Sequence, residues 1–227
     1  MARLDADRTV DVQVRRHPGY RRIRLSVQPD GQVRLSAPKR TSHRLLTEFV
    51  HRHQAWLSSN VRQSAVAVPE TLELLTLGEH WRLEFAADVT RLTADAGSLL
   101  LPQDAGPQAY AALRRWLGNR ARRELGRLLQ EISNRTGLTY SSMSVRGQRS
   151  RWGSYSAAGS VSLNFKLLFL PEELTRYVLL HELCHGVQLN HSPAYWAEVA
   201  RHEPRLAELR AAMRSASNYV PAWLERT

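Results

Sequence analysis

The chain has 227 residues and 25.9 kDa, with 43% hydrophobic and 23% charged side chains, an ordinary globular composition for one large domain or two small ones. No run approaches the ~18 consecutive apolar residues of a membrane span, and the Arg- and Asp-studded start reads as neither a signal peptide nor an anchor, so a cytoplasmic protein is expected. The formal net charge is +11, and the single cysteine, Cys184, excludes an intramolecular disulfide and any multi-cysteine zinc site.

The first hundred residues read as β. Thr9–Val14 and Arg22–Val27 alternate, with a turn at His17-Pro18-Gly19-Tyr20 between them, and Pro29-Asp30-Gly31 makes a hairpin turn into Val33–Ala37. Thr41 or Ser42 caps a helix that carries Leu45, Leu46, Phe49, Val50 and Trp56 on one side. Short strands follow at Leu72–Leu77, Trp81–Phe85 and Ser98–Leu101, and Pro102–Pro107 is the best linker.

The second half is mainly helical. From Gln108 to Ser133, Leu113, Leu117, Ala121, Leu125, Leu128 and Ile132 recur every three or four residues and form one buried stripe. Ser160–Phe165 alternates as a strand and Leu167–Leu170 continues it as an apolar run. Pro171-Glu172-Glu173 opens another helix, with proline at its start and carboxylates where the dipole favours them. The expected fold class is α+β: a β-rich N-terminal region over 1–104, then a mainly helical core with a small sheet over 105–227, packed as two domains or as one unit.

That last helix contains His181-Glu182-Leu183-Cys184-His185. Residues i and i+4 are neighbours on one helix face, so two imidazoles can converge on one metal. The carboxylate at i+1 is rotated about 100° and reaches a water on that metal rather than the metal itself, the place for a general base. Nine His and 14 Glu in 227 residues give roughly 0.02 accidental matches to this spacing. Val178, Leu179, Leu180, Leu183, Cys184 and Val187 leave the helix apolar nearly all round, so its histidines and glutamate need partners that a metal supplies.

A third ligand is still required. On a continuous helix His191 would sit about 80° off the ligand face and roughly 15 Å along the axis. The helix must therefore end soon after His185, with Gly186 and Asn190 as the turn-tolerant residues, and Ser192-Pro193 starts a new helix carrying Tyr195, Trp196 and Val199. His191 then swings back from the corner; Glu198, His202 and Glu203 are its rivals. Cys184 lies off the histidine face and reads as a small buried residue.

These features resemble the YgjP-like metallopeptidases, relatives of the SprT-like and WLM zinc proteases. The resemblance runs through the Pro29-Asp30-Gly31 hairpin, Arg151-Trp152-Gly153-Ser154, Ser162-Leu163-Asn164, Pro171, the His181–His185 motif and His191-Ser192-Pro193 with Trp196. It implies a zincin-like metal-dependent hydrolase core over 105–227, with one Zn²⁺ per chain held by His181, His185 and His191 and Glu182 as the base. Tyr155 stands where the family commonly has Cys, which argues against an essential role for that position. Gln188 replaces the glycine that metzincins have at the same spacing.

Further residues are candidates for substrate contact. Arg151 and Tyr195 could stabilise an oxyanion, and Arg146, Arg149 and Arg151 could grip an anionic group or anchor acidic side chains. Asn164 could line a cleft where an extended peptide adds to a strand, or be an outward polar residue of that strand. The leading function is a zinc metallopeptidase cleaving peptide bonds. Two alternatives are a metal-dependent nucleoside triphosphate pyrophosphatase, a label some relatives carry, and a nucleic-acid-associated protease. Residues 1–60 hold 12 basic and 5 acidic side chains and residues 108–155 hold 10 and 2, which predicts at most salt-sensitive, sequence-independent nucleic-acid binding.

Overall fold

The computed structural model describes residues 2–5, 8–10, 12–27, 33–58, 69–103, 106–148 and 150–225. The Pro29-Asp30-Gly31 turn and Arg149 lie outside the described residues, as does part of the 102–107 linker. The fold is α+β, and the chain forms two compact units: residues 1–68 with 104–110 and 222–227, and residues 69–103 with 111–221.

In the first unit, β1 (Ala2–Asp5) and β2 (Arg8–Val10) pair antiparallel. A separate sheet contains β3 (Val12–His17), β4 (Arg24–Val27) and β5 (Val33–Pro38) in the order β3-β5-β4. β3 runs parallel and β4 antiparallel to β5. One face of β5 is apolar: Leu35 and Ala37 pack with Leu46 of helix α1 (His43–Arg52), and Val33 packs with Leu57. Ser42 caps α1 by accepting the Leu45 amide, as the sequence indicates. Leu45 and Trp56, by contrast, are 48% and 43% exposed, because the one small sheet can cover only the strip around Leu46.

The second unit begins with a four-stranded sheet, β6 (Thr71–Leu74), β7 (Glu79–Ala86), β8 (Thr93–Asp95) and β9 (Ser98–Pro102), ordered β6-β7-β9-β8. Helix α2 (Gly106–Thr136) follows, belonging to this unit from Ala111 onward, and its stripe from Leu113 to Ile132 is buried throughout, as its period requires. Gly137, at φ 76°, ends it in a left-handed conformation that glycine adopts without a Cβ clash. A three-stranded sheet of β10 (Ser142–Arg146), β11 (Gly153–Tyr155) and β12 (Ser160–Asn164) has the order β10-β12-β11. Helices α3 (Glu172–Cys184), α4 (Pro193–His202) and α5 (Leu206–Ala212) complete the unit.

The apolar run after β12 departs from the strand the alternation suggests. Asn164 Oδ1 accepts the Lys166 amide and starts a 3₁₀ turn over Phe165–Phe169, all of it buried. The carbonyls of this turn meet Thr76, from the turn that follows β6. Its Oγ1 lies 2.6 Å from the Leu167 oxygen, 2.8 Å from the Leu170 oxygen and 2.7 Å from Thr175 Oγ1 on α3. Thr175 in turn lies 2.9 Å from the Leu167 oxygen, so two hydroxyl protons serve the carbonyls of a buried turn. Arg120 of α2 pairs with Glu79, and Trp81 meets Trp116 edge-on, which further ties residues 69–103 to the helices.

Replacing Thr76 by Val keeps the shape and removes the hydroxyl. The variant should lose about 1–3 kcal/mol of stability, the cost of a buried polar group left unpaired. Chemical denaturation of the two proteins measures it; an unchanged midpoint would mean that Thr76 contributes packing alone.

Candidate metal centre

Helix α3 enters the core behind Pro171, with Glu172 and Glu173 in its first turn. Leu174, Val178, Leu179, Leu180 and Leu183 are buried on it. The helix stops at Cys184, and the next amides bond three residues back: His185 N–H to the Glu182 oxygen at 3.2 Å and Gly186 N–H to the Leu183 oxygen at 2.9 Å. Tight turns of this kind end a helix without a left-handed residue, and neither Gly186 nor Asn190 has a positive φ. Gly186 matters for space instead: a Cβ there would stand 2.9 Å from Tyr155 Oη. Asn190 Oδ1 accepts the Ser192 amide, and Ser192 Oγ caps α4 by accepting the Tyr195 amide.

The corner brings His191 back to the helix. His191 Nε2 lies 3.1 Å from His181 Nε2, and one ring nitrogen each of His181, His185 and His191 falls within 4.8 Å of the others. Among the described residues these are the one cluster of His, Cys, Asp and Glu side chains arranged to hold a metal ion. His185 Nδ1 donates to the Gln188 carbonyl at 3.0 Å, which leaves its Nε2 lone pair for a metal. Burial, with help from the neighbouring histidines and Arg210, pushes His181 down to about 3, and burial lowers His185 too. Both rings are thus neutral at physiological pH, the form that binds a divalent metal. The donor set suits one.

The rivals for the third position are engaged elsewhere. Glu198 pairs with Arg201 and with His202, each at 3.0 Å, and Glu203 accepts the Arg205 amide. Cys184 is fully buried and its thiol is pushed up to about 12 by burial, so it carries no thiolate for a metal or an electrophile.

Glu182 is 5% exposed, and burial raises its carboxyl to about 7 against the opposing charge of Arg151. Gly153 of β11 lies directly against it: a Cβ at that position would come within 2.6 Å of Glu182 Oε1. Arg151 itself is exposed. Asn164 is buried, and its Nδ2 donates to the carbonyls of Gln148 and Arg151 at 2.8 Å each, so it ties down the strap that leads into β11. Tyr195 is fully buried; its hydroxyl donates to the His181 carbonyl at 2.9 Å and its ring stacks on His185 at 4.5 Å.

Three contributors carried no signal of this role in the sequence. The Trp196 ring lies nearly parallel to His191, 5.5 Å away, and Arg210 of α5 sits 3.8 Å from the Trp196 ring centre. Gly153 enters the sequence reading only within the Arg151-Trp152-Gly153-Ser154 resemblance, which does not tell that Glu182 lies beside it. A second helix packed behind the exposed His191 is a tertiary fact, and periodicity cannot show it.

A search of curated proteins returned no match. Two solved structures resemble part of the chain, both metallopeptidase zymogens. Abylysin of Pyrococcus abyssi is 25% identical, with 40% of this chain and 92% of that one covered and a TM-score of 0.36. Jannalysin of Methanocaldococcus jannaschii is 20% identical, with 40% and 95% covered and a TM-score of 0.37. The family model of the YgjP-like metallopeptidase domain matches residues 21–216, and the chain therefore belongs to the YgjP-like metallopeptidase family.

Proposed function

We propose that the protein is a zinc peptidase in which His181, His185 and His191 hold one metal ion per chain and Glu182 is the general base. The observation that carries this reading is the convergence of three imidazole nitrogens within 4.8 Å beside a buried carboxyl. Zinc bound there would supply Lewis-acid polarisation of the scissile carbonyl and a lowered pKa for water.

The chain's own residues do the rest. Glu182, raised towards neutrality by burial, takes a proton from the attacking water at its carboxylate and returns it to the leaving nitrogen. Strand β11 is an edge of its sheet, so its outward amides and carbonyls can hold an extended peptide by strand addition beside Glu182. Arg151, exposed beside that carboxyl, is the residue of this strap placed to meet substrate. Asn164 and Tyr195 act through the scaffold: one holds the Arg151 backbone and the other holds His181. A peptide fits this site better than a nucleoside triphosphate, since magnesium-assisted phosphate chemistry prefers carboxylate ligands over imidazoles.

Glu182→Gln should keep stoichiometric metal and an unchanged melting temperature while turnover falls by ~10²–10⁴. Retained turnover with full metal occupancy would remove the base role. His191→Ala should weaken metal binding by more than the ~10–100-fold typical of outer-shell changes, read by competition with a chromophoric chelator. Undiminished affinity would place the third ligand elsewhere. Gly153→Ala should retain the metal and lose activity, because its methyl group displaces the Glu182 carboxylate; the paired readouts are elemental analysis and cleavage of a peptide library. Cleavage of nucleoside triphosphates with no peptide ever cut would transfer the same residues to a pyrophosphatase.

A further inference from the structure

The two arginine-rich blocks end in different states. On α2, Arg120 pairs with Glu79 and Glu124, Arg123 with Glu124, and Arg127 with Glu124 and Glu131. In the described part of residues 12–58, Arg44 has an acidic partner, Glu48 at 2.9 Å, and no other Lys or Arg has one. No described residue from Val12 to Thr47 is Asp or Glu. Among the described residues, the first block is the one with a single such pair.

Strand register gathers these cations. Arg15 on β3 and Arg24 on β4 both pair with Ser36 of β5, so two arginines flank one serine in a single row. Side chains alternate along a strand, which puts this row on the face opposite Val33, Leu35 and Ala37 and away from α1. Arg34 is on the same face two residues back along β5, and its Nε is buried with no hydrogen-bond partner. β3 and β5 are parallel and β4 is antiparallel, so the end of β3, the start of β4 and the end of β5 meet at one end of the sheet. Arg21 and Arg22 enter β4 there, and Lys39 and Arg40 leave β5, all exposed. In the turn between β3 and β4, Tyr20 is 39% exposed with its ring 5.2 Å from that of His17.

We propose that this sheet face and its cationic end bind single-stranded nucleic acid, with phosphates on the arginines and a base on the Tyr20 ring. Guanidinium forks match phosphate oxygens bidentately, and nearly all these cations are Arg. An exposed aromatic amid them gives bases a stacking platform, which an acidic protein would not use. The exposed apolar side chains Leu45 and Trp56 belong to the segment that covers the opposite face, so beyond Tyr20 the cationic surface offers a membrane little to insert. The surface lies wholly within the first unit, and the proposal does not rest on the peptidase reading.

Fluorescence anisotropy of the full chain with labelled single-stranded RNA and DNA of about 20 nucleotides tests it over a salt series. The variant R15Q/R21Q/R24Q/R40Q should lose about ten-fold or more in affinity at ~100 mM salt and flatten the log K against log[salt] slope by roughly 3, at ~0.7 per phosphate contact. Circular dichroism should show its fold unchanged. Tyr20→Ala should weaken binding about five-fold or more at unchanged salt slope. The control R122Q/R123Q/R127Q/R135Q removes the same formal charge from α2 and should stay within about two-fold of the parent. Equal losses in the two quadruple variants would overturn the proposal, since net charge alone would then explain binding. So would an inert Tyr20, absence of binding by the parent at ~100 mM salt, or tighter capture of polyglutamate or phosphatidylglycerol vesicles through the same four arginines.

Discussion

The arrangement of the three histidines depends on one hydrogen bond, from the Tyr195 hydroxyl to the His181 carbonyl. Because α3 ends at Cys184 and His185 N–H turns to the Glu182 oxygen, the His181 carbonyl is among those left without an amide partner at a helix end. Burying that oxygen unpaired would cost about 1–3 kcal/mol. Tyr195 satisfies it from the next helix, and the same ring lies flat on His185. A single buried side chain therefore fixes where α4 starts relative to α3, and with it the corner that carries His191. Trp196 and Arg210 then back the one histidine of the three that is exposed.

Burial sets the chemistry of this centre in two opposite directions. It disfavours charge on any group, so it lowers the pKa of an imidazole and raises that of a carboxyl. His181 and Glu182 are sequence neighbours on one apolar helix, and the same desolvation yields an imidazole with a free lone pair, fit to bind a metal, and a carboxyl raised to about 7. The apolar run around them is thus a functional property of α3 as well as a packing one. Gly153 completes the enclosure, because only a residue without a side chain lets β11 lie this close to Glu182.

Much of this was legible in the residues themselves. A six-position stripe at helical spacing located α2, and the cap at Ser192-Pro193 located α4, because both signals are local. The need for a bend between His185 and His191 followed from helix geometry alone. What stayed hidden was tertiary. The strands β8, β10 and β11 are three to five residues long and carry no clear alternation, so only their partners define them. The run after Ser160 reads as continuous strand, yet Asn164 caps its own chain and turns it into a 3₁₀ segment. Asn164 and Tyr195 stood out as polar side chains near the motif, but which groups they bond could be learned only from the packed structure. Charge counts likewise located both basic blocks without showing which of their arginines meet an acidic partner.

The strand orders β3-β5-β4, β7-β9-β8 and β10-β12-β11 share one plan: the last strand to be synthesised lies in the middle, parallel to the first and antiparallel to the second. The first strand of each trio therefore leaves the ribosome with no partner in its own trio, and the second gains none until the third arrives. In the last trio the keystone is β12. A nascent chain halted before Ser160 has both outer strands and no sheet, so the edge that flanks Glu182 is assembled only after the central strand threads between its neighbours. Closing non-local pairs in this order is slow, and it makes the completed central strand a precondition for the surroundings of Glu182 rather than an addition to them.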